Sequence, residues 1–139
     1  MPSWLLLFIS CAALDVLSLQ DCKPGEYGIR ECHPCPEGYY CPNGRLTLYC
    51  PPGFYSSSEG AVKCTKCDPG TYAPRRTSAY CHSCLAGYYC DDPTSTPKRC
   101  PANTYSNDGA ISCQKCQDGW TSQEGSSSCT PPSSTSCIG

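Results

Sequence analysis

Residues 31–41 read ECHPCPEGYYC, and residues 80–90 read YCHSCLAGYYC. Both copies set Cys-His-x-Cys ahead of Gly-Tyr-Tyr-Cys. Cysteine and histidine this close suit three chemistries: zinc ligation, thiol redox cycling, or the bracing of a small fold by disulfides. The surrounding spacing decides among them. Cys32, Cys35, Cys41, Cys64 and Cys67 return 49 residues later as Cys81, Cys84, Cys90, Cys113 and Cys116. Cys50 returns as Cys100 and Cys81 as Cys129, each within one residue of the same period. The chain is therefore a repeat, read as a partial N-terminal module (residues 19–31), a first repeat (32–80), a second (81–129) and a Ser/Thr/Pro-rich tail (130–139).

A finer pattern, Cys-x-x-Gly-x-Tyr, runs inside the long one. It starts at Cys22, Cys35, Cys50, Cys67 and Cys84, and in degraded form at Cys100 and Cys116. In the copy at Cys100 the glycine position holds Asn103. Asparagine is the side-chain-bearing residue that best tolerates a left-handed backbone, so the position is predicted to have positive φ in a tight turn. Pro24, Pro52 and Pro69 precede this glycine, as in a type II turn. The tyrosine two residues on is predicted to open a short strand and lay its ring over the nearby cystine, making the ten tyrosines a substitute core.

Composition calls for such a substitute. Beyond residue 20 the Leu, Ile, Val and Phe residues are only Ile29, Leu46, Leu48, Phe54, Val62, Leu85, Ile111 and Ile138. Ordering each residue costs about 1–2 kcal/mol of backbone entropy, which so few aliphatic side chains cannot offset. Sixteen cysteines in 139 residues supply cross-links in place of a core. A net charge of −2 without asymmetry argues against nucleic acid or a membrane surface as partner. The apolar run from Trp4 to Leu14 is too short to span a bilayer and fits a secretory signal peptide over residues 1–18, cleaved after Ser18 or Ala13. Either cut removes Cys11 and sends the rest into an oxidising compartment, so the expected location is extracellular.

Two connectivities are open. One closes each module on the next cysteine: Cys22–Cys32, Cys35–Cys41, Cys50–Cys64, Cys67–Cys81, Cys84–Cys90, Cys100–Cys113 and Cys116–Cys129. The other interleaves Cys32–Cys41 with Cys35–Cys50, and it strands Cys64 and its later counterpart. In the first, Cys137 is left over in the tail, available for an intermolecular bond and a disulfide-linked dimer. Zinc would suit the four Cys-x-x-Cys pairs locally, but a secretory route and the intervening cysteines favour disulfides. A thioredoxin-type site needs a helix after its Cys-x-x-Cys, which the Pro, Gly and Ser spacing disallows. His33 and His82 are read as exposed turn residues, and no metal or cofactor is expected. No nucleophile elbow, paired-acid site or phosphate loop is present, so no enzymatic activity is expected.

The stretches CPPGFYSSSEGAVKCTKCDPGTY (Cys50 to Tyr72) and CPANTYSNDGAISCQKCQDGW (Cys100 to Trp120) resemble the ephrin-receptor-like, tumour-necrosis-factor-receptor-like cysteine-rich repeats of extracellular proteins. The resemblance runs from Cys32 to Cys129. It implies a rod of short β-ribbons and a role in adhesion, matrix assembly or ligand binding. The expected fold is thus small and disulfide-rich, an elongated array of β-ribbon modules with little helix outside the signal peptide. The basic loops around Arg75 and Arg76 and around Lys98 and Arg99 are candidate contacts for an acidic partner, because guanidinium forks bind carboxylate or sulfate well. Three functions follow as expectations: a non-catalytic structural or extracellular-matrix protein, a soluble receptor-like or decoy module for a protein ligand, and a secreted toxin or defence protein.

Overall fold

The structure, a computed structural model, describes residues 21–134. The expected signal peptide, Cys11 and Cys137 lie outside those residues, as does the dimer expected through Cys137.

Each Cys-x-x-Gly-x-Tyr begins with a turn closed by one backbone hydrogen bond, such as Tyr39 N–H to the Pro36 carbonyl (3.1 Å) and Thr71 N–H to Asp68 (3.0 Å). The glycine at its third position has φ between 78° (Gly38, Gly70) and 89° (Gly25), and Asn103 takes the same region at 64°. That is the geometry of a type II turn, which only glycine enters without strain.

The next two residues form the first strand of a two-stranded antiparallel ribbon. The ribbons are β1 (Glu26–Tyr27) with β2 (His33–Pro34), β3 (Tyr39–Tyr40) with β4 (Leu48–Tyr49), and β5 (Phe54–Tyr55) with β6 (Thr65–Lys66). They continue as β7 (Thr71–Tyr72) with β8 (His82–Ser83), β9 (Tyr88–Tyr89) with β10 (Lys98–Arg99), and β11 (Thr104–Tyr105) with β12 (Gln114–Lys115). A seventh module has only the bridge between Thr121 and Thr130. The tyrosine therefore ends its strand rather than opening it. The two residues inside each Cys-x-x-Cys are the return strand, which leads straight into the first cysteine of the following module. His33 and His82 thus lie in strands, not turns, and are exposed there.

The seven bridges are those of the module-closing scheme. Five modules close over separations of 10 to 14 residues, from the turn to the start of the return strand. Modules 2 and 5 close over 6 residues, Cys35–Cys41 and Cys84–Cys90. Their return strands start instead from Thr47 and Pro97.

The core is made of these cystines, not of tyrosines. Cys35, Cys41, Cys50, Cys84 and Cys100 are fully buried, joined by Ala73 and Ser106, and no tyrosine is buried to that degree. A two-residue ribbon is too narrow to cover an aromatic ring on both faces. The ring lies instead against the first residue of the return strand: Tyr27 against His33 (5.8 Å between centroids), Tyr72 against His82 (5.4 Å), and Tyr105 donating its hydroxyl to Gln114 (2.7 Å).

Consecutive modules are joined by a recurring set of backbone bonds. The turn glycine donates to a carbonyl just after the next module's first strand: Gly25 to Cys41 (2.7 Å), Gly38 to Ser56 (2.9 Å), Gly53 to Ala73 (2.8 Å), Gly87 to Ser106 (3.0 Å). Asn103 does the same to Ser122 (2.9 Å). The loop of the next module answers, with Gly60, Thr77, Gly109 and Gly125 donating back to Cys35, Cys50, Cys84 and Cys100 at 2.7–3.1 Å.

Contacts also reach the second neighbour, beyond the nearest-neighbour packing expected of a simple stack. A Cβ on Gly25, Gly38, Gly70 or Gly87 would run into the carbonyl of Gly60, Thr77, Gly109 or Gly125, each two modules ahead. Among the described residues no loop meets the Asn103 side chain from two modules ahead. Pro132 stands where an eighth module's first cysteine would be, and it lacks the N–H that every such cysteine donates to the preceding turn.

A compact domain of this length would have a radius of gyration of about 14 Å. Small-angle scattering of the oxidised protein is expected to give a clearly larger value; one at or below the compact figure contradicts a linear array.

Candidate functional site

The cysteine–histidine clusters that open the sequence hold no free thiolate. In every Cys-x-x-Cys the two sulfurs belong to different bridges. Cys22, Glu26 and Cys32 come within ligand distance of one another, but Cys22 and Cys32 are bonded to each other and offer no anionic sulfur to a metal. His33 and His82 are taken up by their cross-strand tyrosines, and Tyr80 adds an edge contact to His82 (4.9 Å).

The four basic candidates are placed in two different ways. Arg75 and Arg76 project from an exposed loop of module 4. Thr77 beside them has φ 63°, a strained setting for a β-branched residue. Its N–H bonds to the Cys50 carbonyl, and the next carbonyl, of Ser78, accepts from Ser56, both at 3.1 Å. The loop is held on both sides of the strain, so the arginines are presented from a fixed base. Arg76 lies over the Tyr49 ring at 4.6 Å from its centroid, a cation–π contact two modules back. Lys98, by contrast, is neutralised by Asp91 (2.8 Å) and lies 5.6 Å over Tyr89. Arg99 is exposed in β10. No hydrogen bond or ion pair among the described residues joins the two basic pairs.

What the sequence reading did not single out is the apolar surface under Arg76. Return strand β4 is Leu48–Tyr49, where β6, β8, β10 and β12 carry polar or charged pairs and β2 carries His33–Pro34. Leu46, Leu48 and Tyr49 are 56%, 36% and 45% exposed. Tyr49 with Arg76 held over its ring brings together two residue types enriched where proteins bind one another. The signal was available in the sequence, where Leu48–Tyr49 stands out from the other residue pairs that precede a module's first cysteine.

The two modules with the short cystine hold their freed loops by ion pairs. Arg45 makes two bonds of 2.8 Å to the Asp21 carboxylate, and Asn43 Oδ1 accepts from the N–H groups of Arg45 and Leu46. In module 5, Lys98 donates to Asp91, while Asp92 accepts from the Thr94 N–H and hydroxyl and from the Ser95 hydroxyl at 2.7–2.9 Å. These bonds hold the Asp21, Asp91 and Asp92 carboxyls below their ordinary range, by hydrogen bonding first and Coulomb attraction second.

A carboxyl depressed in the folded state stabilises above its unfolded pKa, about 3.9, and that contribution disappears as pH falls through the folded value. Loops 42–47 and 91–97 are thus expected to loosen on acidification below about pH 4 while the cystine-held ribbons stay intact. Because the pairs are exposed, the effect is small. Amide hydrogen exchange at Thr94 and Ser95 should accelerate relative to Cys84 and Cys100; parallel behaviour of all four contradicts the assignment.

No protein-family model matches this chain, and no curated protein matches it. Among the described residues no helix is long and apolar enough to cross a membrane.

Proposed function

We propose that the chain is a non-catalytic extracellular structural or matrix protein that acts through protein contacts, built of ephrin-receptor-like, tumour-necrosis-factor-receptor-like modules. The observation that supports this most is the array itself. Seven cystine-braced modules, six of them ribbons, spend most of their buried side chains on the cross-links, which leaves the loops and return strands as working surface. Dense disulfides are the chemistry of an oxidising compartment. Such an array sets distances and presents patches; its partner is a matrix component or another extracellular protein.

A second reading, a soluble receptor-like module, draws on the Tyr49–Arg76 pair. There the acidic partner would sit on Arg75 and Arg76, with Tyr49 as the anchor.

Expression with the chain's own first residues in a secretory cell tests both. The product is expected outside the cell, lighter than the reduced chain by two hydrogens per bridge, zinc-free, and retained in the insoluble matrix fraction. Non-reducing electrophoresis of wild type and Cys137→Ser reads the dimer: a wild-type dimer lost in the variant supports the intermolecular bond. Retention in the cytosol with free thiols would sink the proposal. A freely soluble product that binds one partner, and loses it on Tyr49→Ala, favours the second reading.

A further inference from the structure

One junction departs from the rule that joins the others. Between modules 4 and 5 the Gly70 N–H has no acceptor, although every other turn residue from module 1 to module 6 donates to the module ahead. No loop donor returns to the Cys67 carbonyl, as none returns to Cys22 in module 1, and here the Cys90 carbonyl, the expected acceptor for Gly70, receives nothing as well. Among the described residues two backbone bonds cross this junction, Ala73 N–H to the Pro93 carbonyl and Cys84 N–H to the Gly70 carbonyl (both 2.9 Å).

The cause lies in the module 5 loop. Pro93 brings no N–H, no residue of the loop has positive φ, and Asp92 gathers Thr94 and Ser95 into a turn of their own. The loop closes on itself and does not reach back.

A groove of about 530 Å³ opens at this junction, and the three unpaired backbone groups belong to residues that line it. Gly70 and Cys67 are buried. Buried backbone donors and acceptors are almost always paired, and each left open costs the desolvation of a polar group. Pro69 and Pro93 form apolar walls, and Ile111 reaches in from module 6 at 54% exposure. Asp68 borders the groove with its carboxylate free of any ion pair among the described residues, whereas Asp91 is already matched by Lys98.

We infer that this groove binds an extended peptide segment of a partner protein, which completes the missing backbone bonds of the module 4–module 5 junction. One open donor, the Gly70 N–H, and two open acceptors, the Cys67 and Cys90 carbonyls, line one groove, and the main chain of an extended strand offers both kinds of partner. A small apolar side chain of the segment rests between Pro69, Pro93 and Ile111, and a lysine or arginine beside it meets Asp68. The inference rests on the protein-contact reading above and gives it a partner class.

The chain carries its own control. Val62 is the counterpart of Ile111 in the first repeat, also exposed, and the junction there has its Gly25 to Cys41 bond. Random linear peptides displayed on phage are selected on the intact oxidised protein. Enriched peptides should carry a basic residue next to a small apolar one. Their affinity should fall about tenfold or more on Ile111→Glu and on Asp68→Lys, and remain unchanged on Val62→Glu. Methylating single amide nitrogens of a selected peptide should abolish binding at one or two positions only, the residues that face the open Cys67 and Cys90 carbonyls. This arm leaves the protein untouched and so is immune to misfolding of a variant. Equal loss in Ile111→Glu and Val62→Glu, or indifference to every N-methylation, overturns the groove. If instead the selected peptides depend on Tyr49 and Arg76 alone, the groove fails while the protein-contact reading stands. If no peptide is enriched on any face, both fail.

Discussion

Reduction of the seven bridges will abolish the fold. Each closes a loop of between 6 and 14 residues in sequence separation, worth about 2–3 kcal/mol in the entropy removed from the unfolded chain. A typical domain is stable by only about 5–15 kcal/mol in total. Few of those bridges can be lost before nothing remains. Apolar packing offers no reserve, because Ile29, Leu46, Val62, Leu85 and Ile111 are all exposed. Amide chemical-shift dispersion should collapse on adding reductant at neutral pH, and the hydrodynamic radius should grow toward that of an unfolded chain. The oxidised protein should keep its ribbons in urea concentrations that unfold ordinary domains. A reduced chain with native dispersion would mean that something other than cystine holds the ribbons.

Replacing Gly38 by alanine should be far more harmful than replacing Gly109, although both have positive φ (78° and 74°). At Gly109 a Cβ meets nothing within 4 Å, so the cost is the left-handed backbone alone, about 1 kcal/mol. At Gly38 the Cβ falls on the backbone of Thr77, and a backbone held by hydrogen bonds on both sides does not yield. The expected cost is about 3 kcal/mol or more. Asn103→Gly should be neutral or mildly stabilising. The yield of correctly paired protein and the denaturant midpoint report the difference. Equal behaviour of Gly38→Ala and Gly109→Ala would remove the second-neighbour contact from the account.

The turn and the pairing were legible because each leaves a mark in residue identity. Asn103 in place of glycine betrays positive φ, and the spacing from Cys50 to Cys64 or Cys67 to Cys81 leaves the module-closing bridges as the scheme that strands no repeat cysteine. The tyrosine core was misread because ring size was taken as burial; a ribbon two residues wide shelters a cystine but only one face of Tyr27 or Tyr72. The covering of Gly38 by Thr77 was not legible, since one backbone carbonyl meeting another site's missing Cβ leaves no side-chain trace. The basic residues summed as charge in sequence, yet Lys98 is matched by Asp91 (2.8 Å) across its own loop while Arg76 is fixed on a ring two modules away. Geometry of that kind is set only once the modules stack.

Asn103 and Pro132 also act as a ruler. Any module of this type can follow modules 1 to 5, because a bare glycine awaits the loop two places ahead. Module 6 cannot be followed in that way: the Asn103 side chain occupies the place where the loop of an eighth module would sit, and Pro132 withholds the amide that would start it. Duplicating a middle module should lengthen the array by one unit without disturbing its ends. Appending one after Cys129 should leave the addition undocked, tethered like a bead on a string. Whether a further module docks at this end is thus written in one side chain and one missing hydrogen.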